Sequence, residues 1–384
     1  MDGNEEEEEI PRELRDSKQP GDDQDAAAQI GGMIARHADE KTMDKSDKER
    51  LWNSITYTVS NSAVPVRVRQ YKWIGLAAGA AAIVLVTAIG LWLSRPDVQG
   101  TGDLLTQLAQ AQRTDLSAMD SVRLTSSAGE VLSIGDNTVV RYRDSMLTIT
   151  DSRGIQRELT LNSADIYNTL SVPYGKRTEV MLSDGTRIWL NAGSRLVFPV
   201  FFAGDSRDVY LEGEGYFDVA RQGGKPFAVH LADMEVNVVG TSFNISAYAD
   251  DDFSSAVLLT GEIMLTSKQR DGFRAVRLKP GKKATLSRMD QQLTLADASG
   301  EDDISWTKKQ LILKSVPVHS LIRRLERVYN TAVVLADGAE AGDEKISGRL
   351  DLTQPLADVL SDIYESDIYR INQEERRIVI SRKN

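Results

Sequence analysis

The chain is 384 residues long, enough for two or three domains with cores of their own, and its 41% apolar and 27% charged content is that of a globular protein. Its net charge of −11 is uneven: residues 1–25 hold eleven acidic and three basic side chains, so the remainder offers no basic face for phosphates, which argues against direct nucleic-acid binding. The absence of cysteine removes disulfides, thiolate metal sites and a cysteine nucleophile, and the three histidines (His37, His230 and His319) lack metal-ligand spacing, so no metal or cofactor is expected.

The acidic lead, residues 1–25, is poor in hydrophobes and reads as a disordered tail. Residues 26–73 hold two short helical candidates. In "DAAAQIGGMIARHADE" the apolar positions Ile30, Met33 and Ile34 have helix spacing, weakened by Gly31 and Gly32. In "SDKERLWNSITYTV" Ser46 and Glu49 form a capping box, and Leu51, Trp52, Ile55 and Val59 form an apolar stripe. So little apolar area makes a marginal core, so a loosely folded leader and a segment that completes its core on a partner are both open readings.

"IGLAAGAAAIVLVTAIGLWL", Ile74 to Leu93, is a run of 20 residues without a charge, about 30 Å as a helix, and is expected to cross a membrane once. Lys48, Arg50, Arg67, Arg69 and Lys72 precede it, while Arg95 alone lies close behind. The positive flank stays inside, which puts the N-terminus in the cytoplasm and the C-terminal bulk outside. Trp73 and Trp92 sit at the two interfaces.

Beyond the span, Asp103–Arg113 reads as a short helical stalk. The period then changes to two, and short strands with glycine corners run on to about Leu295, an all-β block that is solenoid- or sandwich-like, with the regular strands leaning to a solenoid. Within it, "LSDGTRIWLNAGSRLVFP" has its polar residues where turns need them. Asp184-Gly185 between alternating runs predicts a type I′ hairpin, with Trp189 on the face opposite Ile188 and Leu190. No GxSxG elbow, HExxH, P-loop or GxGxxG stands in a catalytic context, so no enzymatic activity is expected. From Trp306 onward strands alternate with helices. Pro317 and Pro355, each after a strand and opening a helix, mark a repeat of 38 residues that also relates Ile312 to Leu350, Leu321 to Val359 and Ile322 to Leu360. This predicts a small α+β domain with helices on one sheet face.

These pieces resemble the FecR-type anti-sigma regulators. The likeness is carried by "NTLSVPYGKRTEVMLSDGTRIWLNAGSRLVFPVFF", "RDVYLEGEGYFDVA", "KPFAVH", "VNVVGTSFNISAY" and "VLLTGEIML", in the order of that family; Gly215 stands where alanine is usual. The C-terminal part resembles the secretin/TonB short N-terminal domain. The resemblance implies a multidomain chain: a tail (1–25), a cytoplasmic helical sigma-interacting segment (26–73), a transmembrane helix (74–93), a periplasmic stalk with the first β-strands (94–165), a FecR β domain (166–298) and an α+β domain (304–384). It implies an inner-membrane protein whose partners are an extracytoplasmic-function sigma factor in the cytoplasm and the signalling domain of a TonB-dependent outer-membrane transducer in the periplasm. It also implies proteolysis in or near the span by envelope proteases. Leu51, Trp52 and Ile55 are the expected sigma contacts. Some family members are cut at a Gly-Thr bond by acyl shift onto the threonine hydroxyl. Gly240 and Thr241 match that bond, although the bare dipeptide reads more simply as a β-turn.

Two other readings compete. An anchored glycan- or protein-binding module predicts exposed aromatics on one β face. An envelope hydrolase requires two carboxylates that meet in a pocket.

Overall fold

A computed structural model describes residues 101–143, 146–160, 166–336, 344–364 and 367–383, together with Ser46, Glu49 and Arg50, which are helical. The expected span Ile74–Leu93 and the stripe residues Leu51, Trp52 and Ile55 lie outside the described residues. Among the described residues no helix is long and apolar enough to cross a membrane.

Helix α1 (Thr101–Ala111) leads into eighteen strands. The first nine are β1 (Val122–Ser126), β2 (Val131–Ile134), β3 (Thr138–Arg143), β4 (Met146–Thr150), β5 (Gln156–Thr160), β6 (Tyr167–Val172), β7 (Thr178–Met181), β8 (Arg187–Leu190) and β9 (Ser194–Pro199). The second nine are β10 (Arg207–Asp218), β11 (Phe227–His230), β12 (Met234–Val238), β13 (Ser242–Ala247), β14 (Phe253–Thr260), β15 (Ile263–Ser267), β16 (Val276–Leu278), β17 (Lys282–Ser287) and β18 (Leu293–Asp297). Their pairings make two sheets. One runs β2-β1-β6-β9-β10-β11-β12-β15-β16, the other β5-β4-β3-β7-β8-β10-β13-β14-β17-β18.

The sheets face one another across one apolar core, with Tyr142 of the second sheet edge-on to Phe198 of the first and Phe217 packed on Phe227 in the same way. The arrangement is a sandwich rather than a coil of parallel rungs; β3–β7 and β10–β11 are its parallel pairs. The strands ahead of residue 166 belong to it, because β1 pairs with β6 and β3 with β7. The segment expected to be a stalk is likewise part of the domain: Leu105 and Ala109 of α1 pack on Val197 and Tyr210, covering the outer face of the first sheet. That cover explains why β9 is buried on both sides.

The sheets share β10. Residues 207–212 pair in the first sheet and 213–218 in the second, and the chain passes between them at Gly213, with φ of 106°. A Cβ there would stand 2.6 Å from the Ser194 backbone, so only glycine fits the crossing. At Gly215 a Cβ would lie 3.0 Å from the Phe217 ring, so the alanine usual in the family would press on a core aromatic that stacks with Phe243. The "LSDGT" turn is not type I′. Leu182 N–H bonds to Thr186 O, Gly185 N–H bonds to Leu182 O, and Gly185 alone has positive φ, at 86°. This is a type I turn closed by a glycine bulge, and Asp184 stays right-handed because its carboxylate accepts both the Thr186 N–H and the Thr186 hydroxyl.

The C-terminal domain follows a short helix α2 (Gly300–Asp303) and a 3-10 turn (Ser305–Lys308). It comprises β19 (Gln310–Pro317), α3 (Val318–Tyr329), β20 (Ala332–Leu335), β21 (Lys345–Asp351), α4 (Leu356–Ser361), β22 (Tyr369–Glu374) and β23 (Arg377–Arg382). The repeat is visible as β19–α3–β20 followed by β21–α4–β22, with Pro317 and Pro355 capping the helices. The strands fall into two sheets instead of one: β19 pairs with β21, while β23 lies between β20 and β22. Leu321, Leu325, Val359, Leu360, Ile378 and Ile380 fill the core.

Candidate functional site

The densest convergence of buried polar groups from distant parts of the chain lies where the C-terminal domain meets the second sheet. Arg323 and Arg327, one helical turn apart on α3, project from the same face. They meet the run Asp250-Asp251-Asp252 in the loop between β13 and β14. Arg327 Nη1 lies 2.9 Å from both Asp250 carboxylate oxygens, and Nη2 lies 3.0 and 3.1 Å from those of Asp251. The guanidinium carbon sits 3.8 Å above the centre of the Tyr248 ring, a stacked cation–π contact. Arg323 bonds the Asp250 carbonyl and the Asp252 carboxylate. From the turn after β17, Arg288 donates to the carbonyls of Tyr248 and Asp251, so a second arginine holds the loop. The Tyr248 hydroxyl donates to the Ala192 carbonyl at 2.9 Å, and burial pushes that phenol far above its ordinary range. Burial opposes the Arg327 charge, but Tyr248 and the two carboxylates outweigh it and hold the guanidinium above its usual value.

A second chain of bonds runs beside the first. Arg177 donates to the Trp306 carbonyl at 2.7 Å and to Asn191 Oδ1 at 3.0 Å. Asn191 and Asn244 both donate to the buried Glu214 carboxylate, and Trp306 Nε1 donates to Asn244 Oδ1. Trp189 and Tyr216, cross-strand neighbours on the outer face of the second sheet, stack with centroids 5.2 Å apart and pack on the C-terminal core. Trp189 and Tyr216 are therefore occupied by the chain itself, and the Asp250 and Asp251 carboxylates are taken up by Arg327. Among the described residues no group of His, Asp and Glu is arranged to hold a metal.

Gly240 and Thr241 sit at the corner between β12 and β13. The Thr241 hydroxyl donates to the Glu262 carbonyl at 3.2 Å, and the Thr241 carbonyl accepts the Val219 N–H at 3.0 Å. The space over Gly240 is filled by the Arg221 side chain. The polar residues of the opening β motif are more than turn formers. Asn191 belongs to the joint, and Asp184 takes a 2.6 Å bond from the fully buried Arg207. Sequence reasoning passed over Arg327, Asp250, Asp251, Tyr248, Arg177 and Glu214. The one local signal was a triple aspartate set between two strands without a partner nearby in the chain.

Comparisons place this architecture. The model of the family described as FecR protein matches residues 168–264, and that described as FecR, C-terminal, matches residues 310–380. A crystal structure of a proposed anti-sigma factor from Parabacteroides distasonis ATCC 8503, at 1.65 Å, is 32% identical with a TM-score of 0.52, covering 56% of this chain and 99% of its own. A second crystal structure of a proposed anti-sigma factor from the same organism, at 2.50 Å, gives the same identity and score over 57% of this chain and all of its own. No protein of curated function matches the chain. Two successive family models in the expected order, and a relative one-third identical over nearly its whole length, establish that the chain belongs to the FecR family.

Proposed function

We propose that the chain is an inner-membrane anti-sigma factor. It holds an extracytoplasmic-function sigma factor through residues 26–73, with Leu51, Trp52 and Ile55 at the contact, and it spans the membrane once at Ile74–Leu93. Its periplasmic sandwich and C-terminal domain receive the signalling domain of a TonB-dependent outer-membrane transducer. The observation that carries this reading is the likeness to the Parabacteroides anti-sigma protein over almost all of that protein's length, together with the two FecR matches. The clasped joint adds support, since a load applied to the C-terminal domain is passed to the sandwich through Arg327 and Trp306 rather than absorbed by a flexible linker.

The test is co-purification of residues 1–73 with the sigma factor encoded in the same genomic neighbourhood. Capture is expected, and Trp52→Ala in the full chain is expected to change transcription from that sigma factor's promoters. No capture, with transcription indifferent to the substitution, would end the anti-sigma reading.

A further inference from the structure

We propose that one end of the first sheet is a membrane seat, at which Leu104, Ile166 and Phe201 enter the surface of the bilayer that the chain spans. The proposal rests on the reading of Ile74–Leu93 as a span, and it adds where the sandwich stands on that membrane.

The three side chains come from separate segments that the fold brings to one end. β6 pairs with β9 as far as Tyr167 and Pro199, and the Val200 N–H then bonds the Ile166 carbonyl at 3.0 Å, so Ile166 and Phe201 leave the sheet side by side. In the loop after β9, Val200 is buried and Phe202 packs edge-on against Phe227, whereas Phe201 between them is left 47% exposed. Ile166 is 61% exposed. Its neighbour Tyr167 and Leu108 of α1 pack on the same cluster of Leu105, Ala109, Val197 and Tyr210. Leu104 stands one helical turn before Leu108 on the same stripe and is 38% exposed. Apolar side chains gathered at one exposed rim mark a place that another apolar phase covers.

The length of chain ahead of α1 selects the occupant. Seven residues, 94–100, separate the proposed span from Thr101, and fully extended they reach about 25 Å. Leu104, three residues further on, is therefore tethered close to lipid in every molecule, which favours lipid over any partner that must arrive by diffusion. Charge sets the mode of contact. Residues 101–108, 166–168 and 199–206 hold Asp103 and Asp205 and no lysine or arginine. These segments offer no attraction to anionic headgroups, so the contact is insertion of apolar side chains at the boundary of headgroups and acyl chains, independent of lipid charge.

The test uses the full chain in lipid nanodiscs of phosphatidylcholine, with and without phosphatidylglycerol. The chain has no cysteine, so a bimane fluorophore can be attached at one chosen site. One label goes on Ala203→Cys, in the same loop as Phe201, and a control label on Met289→Cys, 96% exposed in the turn after β17. At position 203 quenching by brominated lipid and loss of quenching by aqueous iodide are expected, equally in both discs, whereas at position 289 iodide alone should quench. Leu104→Ser combined with Phe201→Ser should return the 203 label to water, with a circular dichroism spectrum matching that of the parent. Iodide access at 203 in a chain that co-elutes with the disc overturns the seat and leaves the span standing. Lipid quenching that requires phosphatidylglycerol, or that survives the double substitution, overturns it as well, and so does shielding without lipid quenching, the mark of a second copy over the rim. A chain that does not co-elute with the disc overturns span and seat together.

Discussion

Arg327 holds a permanent charge with about 2% of its surface in water, and its two partners differ in setting: the Asp251 side chain is 12% exposed and that of Asp250 52%. A buried ion pair gives little net stability over an apolar substitute, but removing one partner strands the other charge, at about 3–5 kcal/mol. A pair screened by water costs about 1 kcal/mol or less. Asp251→Asn should therefore destabilise the sandwich and C-terminal domain several times more than Asp250→Asn, read from urea unfolding midpoints with unchanged slopes. Equal effects would mean that the guanidinium is held by stacking on Tyr248 rather than by charge. Thr241 is the other residue whose chemistry can be decided alone. An acyl shift needs its hydroxyl turned on the Gly240 carbonyl carbon, and here the hydroxyl donates to the Glu262 carbonyl. Intact-mass measurement should give a single species of full mass, and two fragments meeting at Gly240-Thr241 would contradict it.

At the scale of elements, the seat of α1 on the first sheet is the feature with a pH dependence. Gly102, in its first turn, rests on the His230 imidazole so closely that a Cβ would lie 2.5 Å from the ring. His230 Nε2 is 2.8 Å from Asp208 of β10, and Nδ1 is 3.1 Å from Glu235 of β12, off the line of a good hydrogen bond. Asp103 of α1 and Lys268 beyond β15 complete the charged surroundings. Burial works against the imidazolium, but the hydrogen bond to Asp208 and the nearby charges of Glu235 and Asp208 prevail and raise His230 from 6.5 to about 9. The folded value exceeds the unfolded one. The stabilisation is thus fully present below pH 6.5 and disappears as pH rises through about 9, with a magnitude on the order of 3 kcal/mol. Unfolding midpoints should fall across that window, amide exchange in α1 should quicken, and His230→Gln should flatten both. How legible such elements were in the sequence varied with the range of the interaction. Period-two alternation and the prolines at 317 and 355 are local, and they placed strands and helix starts well. The LSDGT turn departs from type I′ because the Asp184 carboxylate accepts the Thr186 N–H and hydroxyl, a local side-chain bond that the Asp-Gly pair alone does not announce. The stalk failed because an amphipathic helix does not say which sheet it will cover.

For the whole molecule, the sandwich is covered on one outer face by α1 and on the other by the C-terminal domain. The residues that join these parts were the least legible: Arg327 and Asp250 are 77 positions apart, and Arg177 and Trp306 are 129 apart. Nothing periodic marks such pairs, and their residue types alone are those of ordinary surface loops. Yet they are what makes the C-terminal domain and the sandwich one mechanical piece. Trp189 and Tyr216 give the joint its apolar contact with the C-terminal core, and the two polar chains fix the angle. On the proposed function, loosening the joint without unfolding either part should break the relay while leaving the sigma contact intact. In cells carrying the matching transducer, Asp251→Asn is expected to drive the ratio of induced to uninduced transcription, normalised to the amount of folded protein, toward unity with unchanged capture of the sigma factor per molecule. A normal ratio, in a variant whose joint is shown by amide exchange at Trp306 to be loosened, would mean that the signal reaches the membrane without passing through the joint.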